Sequence, residues 1–274
     1  MRIIFLLIIC LSITSCTSQF AYRHLDWIIL WYSDDYLELT NQQESVLAKH
    51  VEESLIWHKS SELPKYRQHL MDISQDLTAL PLSAYTINQH AQRLHGYWFS
   101  LRQHVSDQYA PLVENLSPDQ IEYLFIKLEH KNQKRLDHLL ENNAQTIQQE
   151  RLEKWQEILE DFLGEITTVQ ITLLQEYLEQ KTDTTELRTE YLREYQSQLK
   201  QTMLVADNST DLAKLLNNPE SFKSADYRLL EQQNRILTHQ FFSNFSVHLT
   251  PKQIAFLQQK IRDYILFIDE VSKT

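Results

Sequence analysis

Glycine is nearly absent from this chain, with two residues in 274 where an ordinary protein carries about 7%. Phosphate-cradling loops and tight hairpins, which rely on glycine's positive φ, are thereby close to excluded. Cysteine is equally sparse. The two residues are Cys10 and Cys16, too few and too close to the N-terminus to staple a fold. Cations are outnumbered, 26 Lys and Arg against 37 Asp and Glu, which disfavours nucleic acid and anionic headgroups as partners. No apolar run approaches the roughly 20 residues that a bilayer-spanning helix needs. Sequences that signal chemistry are missing as well. There is no Gly-x-Ser-x-Gly elbow, no His-x-x-x-His, and no Glu-x-x-His at any of the eleven histidines, so neither nucleophilic catalysis nor a di-metal bundle site is indicated.

What remains is rich in Glu, Gln and Leu, straight-chain residues that lose little rotamer freedom in a helix. The expected fold is all-α, an elongated multi-helix bundle. Ile87, Ala91, Leu94, Trp98, Leu101, Val105 and Tyr109 step by fours and threes along one helix, and Ile254, Leu257, Ile261, Ile265, Ile268 and Val271 do so along the last. Before it, Phe222, Leu229, Leu237, Phe241 and Phe245 mark another. The polar stretch from Glu129 to Arg135 predicts a kink or a crossing through solvent, and Asp207 to Asn218 is the most turn-like segment.

The N-terminus has its own pattern. Arg2, the apolar run Ile3 to Ile13, and small Thr14 and Ser15 lead directly into Cys16. This reads as a bacterial lipoprotein signal, with residues 1–15 removed and Cys16 lipidated. The mature 16–274 chain would be a single helical domain without disulfides, held to the membrane by its lipid, and with 25 cations against 37 acids its net charge would be −12. A single acyl chain holds a protein only marginally, whereas two or more hold it stably. No cofactor is expected beyond that covalent lipid. Thr17, where an Asp would stand in retained lipoproteins, resembles the Gram-negative sorting pattern that implies the periplasmic face of the outer membrane.

Four helix starts share one signature, L/I-T/S-x-x-Q: Leu39-Thr40 to Gln43, Leu116-Ser117 to Gln120, Ile166-Thr167 to Gln170, and Leu249-Thr250 to Gln253. The Thr or Ser accepts from the amide three residues on while the Gln reaches back, a capping box, with Pro118 and Pro251 pre-set for the first helical position. Capping alone explains the motif; a shared function is the alternative. The first two copies begin 77 residues apart and the last two 83 apart, which suggests an internal duplication with repeats over 39–160 and 166–274. Ser60-Ser61-Glu62-Leu63 and Thr184-Thr185-Glu186-Leu187 occupy similar places after the first motif of each repeat.

The candidate partner-binding residues cluster near the lipid. Trp27 and Trp31, with Tyr22, Tyr32 and Tyr36, crowd one short helix, where large aromatics favour either a membrane interface or the helical core. Core packing is the expectation, since Asp26, Asp34 and Asp35 would resist an anionic surface. Asp34 and Asp35 are the best carboxylate pair, but neighbours on a helix diverge by about 100°, so their expected role is to cap or end the first helix.

The elements Tyr22-Arg23-His24-Leu25-Asp26-Trp27, Trp31-Tyr32-Ser33-Asp34-Asp35-Tyr36, Trp57-His58 and Glu62-Leu63-Pro64-Lys65-Tyr66, together with Cys16, resemble a family of uncharacterised proteobacterial lipoproteins. That resemblance carries no activity to transfer. The four motifs are also similar to those of the periplasmic LTxxQ chaperones of the Spy and CpxP type, small helical proteins with two motifs per chain that form cradle-shaped dimers. The similarity implies that both halves of such a cradle are present in one chain. The expected function is a lipid-anchored helical binding protein, chaperone-like towards envelope proteins; the alternatives are an assembly partner of one envelope complex, or an envelope enzyme using Asp34, Asp35 and His24. The oligomeric state is left open.

Overall fold

Each of the four motifs starts a helix, and in each the Thr or Ser side chain accepts from the glutamine's backbone N–H while the glutamine side chain accepts from the Thr or Ser N–H. In the computed structural model, which describes residues 21–205 and 207–273, eleven α-helices and no strands occur among the described residues. In chain order they are α1 (Leu25–Leu37), α2 (Asn41–Trp57), α3 (Leu63–Asp76), α4 (Ala84–Val113), α5 (Pro118–Glu141), α6 (Ala144–Leu163), α7 (Thr168–Gln180), α8 (Thr185–Met203), α9 (Ser209–Asn217), α10 (Ala225–Val247) and α11 (Pro251–Val271). Ser83, Asn143 and Ser224 cap α4, α6 and α10 with their side chains. One of the two glycines ends α6: Gly164 has φ 75°, a conformation in which a Cβ is strained.

The helices pack in two matching series. In the first, α1 lies against α2 and α5; in the second, α6 lies against α7 and α11. The motif helices α2 and α5 thus correspond to α7 and α11. The series then exchange a helix, since α3 packs on α11 and α8 packs on α5, while α4 and α10 meet each other. Helix α9, packed against α4, has no equivalent in the first series.

Three apolar clusters fill this arrangement. Leu159, Leu163, Leu174, Tyr177, Leu178, Phe241 and Phe245 join α6, α7 and α10, with Tyr177 stacked on Phe241 at 4.5 Å. Ala110, Ile121, Phe125, Leu199, Met203 and Leu212 join α4, α5, α8 and α9. Leu63, Ile268 and Val271 join α3 to α11. A fully buried Leu such as Leu174 contributes about 1.5–3 kcal/mol.

Two local expectations are corrected. The turn-like Asp207 to Asn218 stretch contains helix α9, because Leu212, Leu215 and Leu216 have a core to meet. The polar stretch of α5 runs within one helix and faces α8 rather than bare solvent. Asn132, buried, donates to Gln196 Oε1 at 2.7 Å, and the Arg193 guanidinium forks onto Glu129.

Candidate functional site

The four motif glutamines come together in two pairs, and each pair is a reciprocal amide clasp. Gln43 Nε2 donates to Gln120 Oε1 at 3.0 Å, and Gln120 Nε2 donates back to Gln43 Oε1 at 2.9 Å. The second N–H of each amide reaches the carbonyl two residues before the partner helix's N-cap: Gln43 to Asn115 O at 2.6 Å, Gln120 to Glu38 O at 3.0 Å. The other pair repeats this scheme. Gln170 and Gln253 exchange bonds of 2.9 and 2.8 Å and donate to His248 O and Glu165 O at 3.0 and 2.8 Å.

This geometry explains why the motif ends in Gln. A Glu would complete the capping box equally well. However, two carboxylates could neither donate to each other nor to the facing carbonyls, so only an amide can cap its own helix and clasp the next. The first clasp borders an open pocket of about 460 Å³ ringed by Glu38, Glu114 and Asp119. The second is buried, with Gln170 wholly inaccessible.

A second polar centre lies where α2 passes into α3. The helix does not stop there but widens into a π-helical turn, His58–Glu62, closed by the Leu63 N–H donating to His58 O. Pro64 follows, lacking the N–H that a regular helix would use, and single π-turns are found frequently at functional sites. Glu62, the last residue of the turn, is fully inside. Its Oε1 accepts from Lys65 Nζ at 2.6 Å and Ser100 Oγ at 2.9 Å, while Oε2 has no protein partner. His58 Nδ1 lies 2.9 Å from the Tyr22 hydroxyl. Burial pulls the His58 pKa down to about 4, against the pull of Glu62 and with a further push from His104.

Imidazoles continue along α4. Trp57 stacks flat on His104, ring centres 3.8 Å apart, and His104 Nε2 is 3.1 Å from Ser54 Oγ, which also accepts from Tyr109. Further on, Asp76, His90 and His69 form a relay of two 2.9 Å contacts ending on buried His69. Burial, then Arg93 and His90, hold His69 at about 4 despite Asp72. Rings held near pKa 4 are neutral at pH 7 and hydrogen-bond there between chain segments. In the second series α7 and α8 are separate helices and Glu186 is exposed, so the buried carboxylate belongs to the first series alone.

The first helix departs from expectation. Trp27 and Trp31 are each 63% exposed, and their rings stack with centroids 6.4 Å apart. Only Tyr36 of α1 is buried, because the opposite face of the helix is the one turned to α2 and α5. Asp34 and Asp35 point to different partners. Asp34 Oδ1 accepts from the Leu39 amide at 3.1 Å just past the helix end, where Glu38 turns left-handed at φ 45°, and Asp35 pairs with Lys127 at 3.3 Å. Cys16 and the signal segment lie outside the described residues. Among the described residues no helix is long and apolar enough to cross a membrane.

Sequence reasoning passed over the π-turn centre as a site. Trp57-His58 and Glu62 to Tyr66 were legible as marks of resemblance, but Ser100, His104 and Tyr22, which give them meaning, lie on other helices. An all-α bundle with clasped helix starts and a buried carboxylate at a π-turn is the class defined by this geometry. The chain belongs to a family of unknown function, DUF6279, which it matches over residues 35–228. That span includes the first clasp, the π-turn with Ser100 and His104, and Gln170, and leaves out Tyr22 and Gln253. No curated protein and no solved structure matches the chain.

Proposed function

We propose that this protein is a lipid-tethered helical binding protein on the periplasmic face of the outer membrane, chaperone-like towards envelope proteins. The observation that carries the reading is the placement of apolar side chains in rows on exposed helix faces. Leu229, Ile236 and Val247 of α10 are all exposed, and their spacings of seven and eleven residues fall within about 20° of whole turns. Leu94 and Val105 of α4 are likewise exposed and eleven apart. Single exposed apolar residues are ordinary, whereas exposed apolar residues that recur on one helix face offer an amphipathic segment a series of spaced contacts.

The clasps support the comparison with LTxxQ chaperones. Two motif pairs in one chain, with α3 and α8 exchanged between the series, are what a cradle built from one polypeptide would have. The tether rests on the residues before Cys16.

The test is suppression of aggregation. The chain from Cys16 onward, added in stoichiometric excess, is expected to keep an unrelated unfolding protein soluble, and Leu229→Ser with Ile236→Ser is expected to weaken this. No suppression by the unaltered chain refutes the chaperone reading; recovery of one defined envelope complex from cells would then favour a dedicated assembly partner. Palmitate labelling of wild type but not Cys16→Ser checks the anchor.

A further inference from the structure

We propose that Trp27 and Trp31 are a second, non-covalent attachment to the bilayer, seated in the headgroup layer of a zwitterionic phospholipid surface. The inference rests on the tethered reading of Cys16.

Chain length comes first. Five residue steps separate Cys16 from Ala21, where the described chain begins, and at no more than about 3.6 Å each they span at most ~18 Å. Trp27 follows six residues later, no more than ~22 Å further on even if fully extended. A lipid on Cys16 therefore holds the tryptophan pair within some tens of ångströms of the headgroups at all times, an effective concentration that makes even a weak contact persistent.

Exposure and chemistry point the same way. Two stacked indoles, each 63% exposed, are costly in water and suited to the interface, where an apolar body meets a wet rim. The acids that would oppose this are turned to other work. Asp35 is paired with Lys127 and Asp34 accepts from the Leu39 amide, both about one turn beyond Trp31 and away from the tether. Arg23, on the tether side, is paired with Glu270 at 3.0 Å. Asp26, next to Trp27, and the mature net charge leave a zwitterionic surface favoured over an anionic one.

The mature chain has one thiol, which provides the test. The chain from Cys16 is coupled through that thiol to maleimide-phosphatidylethanolamine in phosphatidylcholine vesicles whose acyl chains carry bromine near the headgroup. This tether replaces the biological one, so the result is independent of whether cells lipidate Cys16, which mass spectrometry of the cellular protein decides. The expected result is a blue shift and a loss of emission approaching the two-fifths share that these two residues hold among the five tryptophans. Both are expected to vanish in Trp27→Ala with Trp31→Ala, whose circular dichroism should match the unaltered chain. Absence of quenching, or equal quenching in both proteins, overturns the proposal, and a second copy or another protein seated on the indoles would give that result.

Discussion

Gln170 and Gln253, 83 residues apart in sequence, exchange both side-chain amides inside the protein and leave no donor on either side chain unused. Each also caps its own helix, so one side chain joins a local rule to a tertiary contact. The clasp fixes the separation and tilt of α7 and α11 at their first turns. Gln43 and Gln120 do the same for α2 and α5, half-exposed instead of buried.

That difference in burial sets the energetic order. Gln170→Ala is expected to cost about 2–4 kcal/mol, because it strands the buried Gln253 amide, the His248 carbonyl and the Thr167 amide. Gln43→Ala is expected to cost about 1 kcal/mol, since water can replace the lost partners there. Urea denaturation of both variants measures this. A double-mutant cycle on Gln170 and Gln253 is expected to give a coupling of at least about 1 kcal/mol; additive losses would mean that the clasp is only two independent caps.

Glu62 is inaccessible while its partner Lys65 is half-exposed. Lys65→Met therefore leaves a buried carboxylate with Ser100 alone, and is expected to cost about 2 kcal/mol, below the 3–5 kcal/mol typical of a fully buried pair. Combining it with Glu62→Gln is expected to restore most of that stability, since an amide needs no countercharge. A double variant no more stable than Lys65→Met would show that the lysine acts by packing its methylenes.

Helix α1 is held to α5 from one side. Lys131 Nζ lies 4.3 Å from the centre of the Tyr36 ring and 3.2 Å from the Tyr32 hydroxyl, one turn from the Lys127 to Asp35 pair. Lys131→Ala is expected to cost about 1 kcal/mol and to raise amide exchange in α1 while leaving α7 unchanged. Exchange rising equally in both helices would contradict this local role.

The all-α fold was legible because scarce glycine, abundant Leu, Glu and Gln, and four capping boxes all act locally. Pairing of the boxes was not, since a capping box reads the same whether its glutamine ends in water or on another helix. The tryptophans show the converse limit. Spacing of Trp27 and Trp31 puts them on one face of α1, but which face is buried depends on where α2 and α5 lie, and Tyr36 was the residue those helices covered. Glu62 was hidden for a third reason: its spacing from buried Val51, eleven residues earlier, puts it on the covered face, but a carboxylate reads as solvent-exposed until its partner Ser100, on α4, is in place.

Stability against pH reports on the same π-turn. Unfolded, His58 titrates near 6.5; folded, burial holds it at about 4, with Tyr22, Glu62, Tyr66 and His104 around it. Between those values the unfolded chain binds the extra proton, so stability must rise with pH across that window, be complete above about 6.5 and fall as acid is added. His69 behaves likewise. Carboxylates held low by arginines, Asp72 by Arg93 and Glu129 by Arg193, also lose stability in acid, but at or below the ordinary carboxylate range. The slope between pH 6.5 and about 5 is therefore histidine-dominated. For His58 the loss is expected to be on the order of 2 kcal/mol by pH 4.5. Replacing it with Gln is expected to flatten the acid slope by up to ~1.4 kcal/mol per pH unit, one proton's worth, as read from urea midpoints at successive pH values. An unchanged slope in His58→Gln would mean that the ring takes up its proton in place, with the Tyr22 contact opening to let solvent in.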